Sequence, residues 1–161
     1  MADNHYKIGE ETKRINTNNK GEWPKGPKIL LKAHNVKEPQ KVLDKAKEVM
    51  LAVSQYAYTN QWPSDEEWKT ILPEWFVKSM TEKSLEQIMK TSGQWHYESW
   101  VDNIRQRSWV WWSSKIEKDT ITIVLDVLDM PYLHDSLKYV FFAQGIPMSN
   151  ITDEDDIYDK S

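Results

Sequence analysis

Trp109-Val110-Trp111-Trp112-Ser113-Ser114-Lys115-Ile116, the turn Glu117-Lys118-Asp119, and Thr120-Ile121-Thr122-Ile123-Val124-Leu125-Asp126-Val127 carry the clearest strand pattern in the chain. Its first arm is rich in strand-forming aromatic and β-branched residues. Its second arm alternates, so that Ile121, Ile123, Leu125 and Val127 share one face. The spacing predicts a β-hairpin over 109–127. Two strands alone are marginal in water, so at least one more is expected, and the candidate is 28–36, Lys-Ile-Leu-Leu-Lys-Ala-His-Asn-Val.

Around the hairpin the period changes to that of helices. Over 39–58, Val42, Leu43, Ala46, Val49, Met50, Val53 and Ala57 fall on one side, with Lys41, Asp44, Lys45 and Glu48 opposite. Pro39 suits a first helical turn, where its missing N–H costs nothing. Ser64-Asp65-Glu66-Glu67 has the form of a capping box, and it turns Trp68, Ile71 and Leu72 inward. Short helices are expected over 74–80 and 84–91, and a further one over 97–105 with Tyr97, Trp100, Val101 and Ile104 apolar. A last helix spans 135–144, and Gly145-Ile146-Pro147 reads as its left-handed cap and stop. The expectation is an α+β fold. Helices in the N-terminal two-thirds pack on a small antiparallel sheet containing the 109–127 hairpin, and a helix follows near the C-terminus.

The ends look different from this 28–149 domain. Residues 1–27 are polar and show no helical period, and their last twelve include two glycines and two prolines, which predicts an extended arm. Residues 150–161 contain Asp153-Glu154-Asp155-Asp156 and read as an exposed acidic tail.

Charge divides the 161-residue chain unevenly. Residues 1–47 hold 11 Lys/Arg against 6 Asp/Glu, leaving 10 against 19 beyond them within a net charge of −4. An acidic body repels phosphate backbones, so nucleic acid is excluded as a partner and a basic protein is favoured through steering. No apolar run is long enough to span a bilayer, and the N-terminus lacks a secretory pattern, which predicts a cytoplasmic protein without a membrane partner. There is no cysteine, and four histidines stand singly, so no thiol nucleophile and no metal site is expected. No Gly-rich phosphate loop or nucleophile elbow occurs, and no cofactor is implied.

Three groups of residues remain as candidates for function. The acids Asp65, Glu66, Glu67, Asp126 and Asp129 are candidates for contacting a basic partner. Glu98 and Asp102, four apart on one helix, would suit acid–base chemistry, although exposed helix surface is the commoner setting for such residues. Trp109 and Trp111 share a strand face that belongs either to the core or to an open aromatic patch for a protein, a sugar or a base. Trp112 is placed inside, with Val110 and Ile116. Nine tryptophans and an aromatic share of 12% make both cores and interfaces rich in rings.

Residues 72–146 carry a wider pattern: Leu72-Pro73-Glu74-Trp75-Phe76, Trp95-His96-Tyr97-Glu98-Ser99-Trp100, Trp109-Val110-Trp111-Trp112, Pro131 and Phe142-Ala143-Gln144-Gly145. This resembles a group of small bacterial Trp-rich proteins sharing an L-P-x-W-F segment, a W-x-W-W strand and an A-x-G helix end. The group is similar to the immunity partners of polymorphic or contact-dependent toxins. The resemblance implies a protein that binds and neutralises a cognate toxin domain and is not an enzyme; it brings no catalytic residues. The alternative from the residues themselves is a ligand-binding or regulatory module using an aromatic patch, for example for carbohydrate.

Overall fold

The computed structural model describes residues 9–56, 61–81, 97–129 and 134–156. It is an α+β fold with a four-stranded antiparallel sheet at its centre. β1 (Lys28–Ala33), β2 (Trp109–Glu117), β3 (Thr120–Val127) and β4 (Ile151–Asp156) lie in the order β2-β3-β1-β4. The hairpin forms as its alternation predicts, and residues 28–33 supply the expected third strand.

One sheet face carries Ile29, Leu31 and Ala33, Ile121, Ile123, Leu125 and Val127, and Trp109, Trp111 and Ile151, all buried in one apolar cluster. Helices α2 (Pro39–Ser54), α3 (Asp65–Ile71), α4 (Glu74–Thr81), α5 (Tyr97–Arg105) and α6 (Asp135–Phe142) contribute the other half of that core. Leu43, Ala46, Val49, Met50 and Val53 of α2 are all buried, as its helical period requires. An aromatic chain joins the shorter helices. Phe76 meets Trp100 edge-on at 4.7 Å and Tyr139 at 5.8 Å, and the Trp100 indole N–H donates to the Ser136 carbonyl at 3.0 Å. Such ring pairs add roughly 0.5–1.5 kcal/mol each beyond the area they bury.

Local signals set the helix ends. Ser64 Oγ accepts from the Glu67 N–H at 3.2 Å while Glu67 Oε1 accepts from the Ser64 N–H at 3.1 Å, so the capping box is complete. Helix α6 stops at Phe142. Gly145 then takes φ 92°, a left-handed conformation that a Cβ would oppose, and its N–H donates to the Phe142 carbonyl at 2.9 Å. The helix expected over 84–91, and Ala57, Tyr58 and Pro131, lie outside the described residues.

Three expectations are corrected. First, the extended arm at 1–27 contains a helix, α1 (Glu10–Thr17), in which Glu11 and Ile15 are buried. Its single core residue leaves no apolar stripe to read, and it is held by contacts with β2 and α2. Second, the acidic tail from 150 is exposed at Thr152, Asp153 and Glu154 as expected, but it is a strand. Residues 148–150 form a turn of 3₁₀ helix and 151–156 pair with β1 as an edge strand, from Ala33 opposite Ile151 to Lys28 opposite Asp156. The last described element is therefore a strand rather than the C-terminal helix. Third, Trp109 and Trp111 are fully buried, whereas Trp112 is the half-exposed ring, under the Arg14 guanidinium at 3.5 Å. A register shift between Trp111 and Ser113 is the cause. It inserts one residue, so Trp111 and Ile116 reach the same face although their numbers differ in parity.

Residues 21–24 pass along the other sheet face. Ser113 Oγ donates to the Glu22 carbonyl at 2.6 Å, Gly21 lies against the Lys115 side chain, and Pro24 is buried.

Candidate functional site

Helices α3 and α5 meet at their N-terminal ends, where the Tyr97 hydroxyl donates to the Asp65 carbonyl at 2.6 Å. Their buried faces carry Trp68 on one side and Tyr97, Trp100, Val101 and Ile104 on the other. The outward faces enclose an open groove of about 650 Å³. Asp65 and Glu67 line it from α3, Glu98 and Asp102 from α5, with Trp62 and Arg105 completing the wall. Glu98, Asp102 and Arg105 follow i, i+4, i+7 spacing, which keeps them on one side of the helix.

The groove is acidic. Burial pushes the Tyr97 phenol well above its ordinary pKa, and the Asp65, Glu66 and Glu98 carboxylates push it further, so it stays a protonated donor. Hydrogen bonds from the Ser64 backbone and side chain hold the Glu67 carboxyl below the usual carboxylate range. Glu67 is thereby engaged in the helix cap. The exposed carboxylates Asp65, Glu98 and Asp102 face the opening, and Asp102 also accepts from the Gln106 amide at 3.1 and 3.2 Å. The Trp62 ring packs at a tilt of 55° against Trp68, with centroids 4.9 Å apart, and has the Arg105 guanidinium 5.8 Å from its centroid. A cationic side chain entering the groove would meet carboxylates at the rim and an aromatic face beside them, two features that favour Lys or Arg.

Of the acids singled out in the sequence, the fold gathers Asp65 and Glu67 with Glu98 and Asp102. Glu66 pairs with Lys69 at 3.2 Å, outside the groove. Asp126 sits on β3 opposite Lys28, on the face turned from the core, and Asp129 is exposed beyond the hairpin; neither lines the groove. Trp109 and Trp111 belong to the core, which removes the aromatic patch on that strand. Trp62 and Arg105 were not marked in the sequence. The signals for them were an aromatic two residues before a helix cap and a basic residue one turn beyond Asp102.

Among the described residues no group of three His, Cys, Asp or Glu is set to hold a metal ion, and no helix is long and apolar enough to cross a membrane. No protein-family model matches the chain, and neither a curated protein nor a solved structure matches it.

Proposed function

We propose that this protein is an immunity-type partner-binding protein. In this reading it acts in the bacterial cytoplasm and neutralises a basic toxin domain by seating it on the groove between α3 and α5. One observation carries the reading: Asp65, Glu98 and Asp102, from two helices, line one open groove beside the Trp62 ring. Carboxylates arranged this way accelerate encounter with a basic surface, and a partner Lys or Arg gains a ring face once the contact is desolvated. The acidic balance of the chain beyond residue 47 acts in the same direction.

The test is the triple variant Asp65→Lys/Glu98→Lys/Asp102→Lys, co-expressed with the toxin domain encoded beside it. These side chains are exposed, so near-ultraviolet dichroism of the buried tryptophans should stay unchanged. Protection should be lost, and the association rate should fall at least tenfold at low salt, roughly the scale of electrostatic steering. A folded triple variant that protects as well as the parent would end this reading.

A further inference from the structure

The outer edge of β2 is closed by the chain itself. An antiparallel edge strand turns alternate N–H and C=O groups outward, where they invite another strand. Along residues 109–114 four such groups are occupied by three residues. The Trp109 carbonyl accepts from Arg107 Nη1 at 3.0 Å, and the Trp111 N–H donates to Glu11 Oε2 at 2.8 Å. The Trp112 carbonyl accepts from Asn18 Nδ2 at 3.0 Å, and the Ser114 N–H donates to the Asn18 carbonyl at 3.0 Å. Asn18 thus presents the donor and the acceptor that a neighbouring strand would present, its side-chain amide standing in for a backbone N–H.

The cover is held by the packing of α1 on β2 and α2 and by a small set of specific side chains. Glu11 accepts from both terminal nitrogens, Nη1 and Nη2, of Arg107 at 2.6 Å, Ile15 enters the core, and the Thr12 hydroxyl bonds that of Ser54 at 2.6 Å. An eight-residue helix does not persist by itself in water, so α1 docks or leaves as a unit. Beneath it, residues 109–114 carry no charge and are mostly strong strand formers, the composition that pairs edge to edge when bare. The opposite edge differs: β4 carries Asp153 and Glu154, and two such strands laid together set like charges against each other.

We propose that α1 and Asn18 form a plug over a latent strand-addition site, and that the β2 edge of a second copy of this chain pairs there when the plug lifts. Antiparallel pairing of β2 with itself closes under two-fold symmetry, uses both β2 edges and leaves only the acidic β4 edges outside. The plug keeps the chain monomeric; the site is independent of the acidic groove.

Full-length Asn18→Ala and Glu11→Gln test this by sedimentation velocity from micromolar to millimolar concentration, together with amide exchange. The parent should be monomeric. At micromolar concentration, where dimer is scarce, the Trp111 and Ser114 amides of each variant should exchange at least about tenfold faster, with β1 and β3 amides within about twofold of the parent. A dimer fraction that rises with concentration should accompany this. Glu11→Gln leaves buried Arg107 without its counter-charge; if that variant does not fold, Asn18→Ala, which trims one half-buried side chain, decides alone. A folded variant that is still monomeric at millimolar concentration overturns the proposal. So does exchange at Trp111 and Ser114 that matches β3 in parent and variant alike.

Discussion

Arg107 anchors the N-terminal helix, and its environment fixes what its loss must cost. With 3% and 5% of the Arg107 and Glu11 side chains exposed, removing one partner strands a charge in the interior. Arg107→Ala should therefore cost about 3–5 kcal/mol in urea unfolding. The double replacement Glu11→Leu/Arg107→Met should cost less than that single change, because an apolar pair leaves no buried charge; a double variant as unstable as Arg107→Ala would refute this account. Ser64 acts at the surface on a smaller scale. Ser64→Ala removes the cap of α3 and should cost about 1 kcal/mol by thermal melting. The carboxyl of Glu67 is depressed in the folded state, so its contribution is present above the ordinary carboxylate range and is lost as pH falls through the lowered value. Ser64→Ala keeps the backbone N–H that chiefly lowers Glu67, so the gap to the parent should narrow in acid only by the part owed to the Ser64 side chain. It stays open because Ser64 Oγ still accepts from the Glu67 N–H. Ser64 and Glu67 were legible in the sequence because a cap is a contact across three residues. Glu11 and Arg107 were not, because 96 positions separate them.

Elements divide along the same line. The hairpin, α2, α3, α5 and α6 carry their own apolar period and form where that period predicts. Helix α1, with only Ile15 in the core, and strand β4, with Thr152, Asp153 and Glu154 exposed, carry none; both lie at edges of the sheet and are held by partners. Strand β4 is pinned by Asp153, which accepts from Lys138 Nζ at 2.7 Å and pairs with His134 Nε2 at 2.7 Å. The Lys138 hydrogen bond first, then that of His134, holds the Asp153 carboxyl below the usual range. That contribution is present above the ordinary carboxylate pKa and disappears as pH falls through the lowered one. Amide protection in β4 should therefore collapse on acidification before protection in β1 and β3. Asp153→Asn should weaken β4 at neutral pH and flatten its acid response. Exchange in β4 that tracks β3 throughout would show that pairing with β1 alone holds the strand.

Across the described residues, helices cover one sheet face, residues 21–24 run along the other, and the acidic groove lies on the helical side between α3 and α5. Charge acts at this scale, so partner association should slow as ionic strength rises, with the steepest loss before screening brings the Debye length to about 10 Å. A rate that does not change with salt would remove steering from the proposed function. The α+β class, the hairpin, the inward faces of the amphipathic helices and the two helix-end signals are legible along the chain, because each depends on residues within a turn or two of one another. Tertiary structure alone decided that Trp109 and Trp111 are core while Trp112 lies under Arg14, since a single inserted residue reverses strand parity. It also decided that Asp65, Glu98 and Asp102 share a groove with Trp62, and that α1 covers the β2 edge. Those arrangements join residues dozens of positions apart, and their partners are chosen by packing, which no local period encodes.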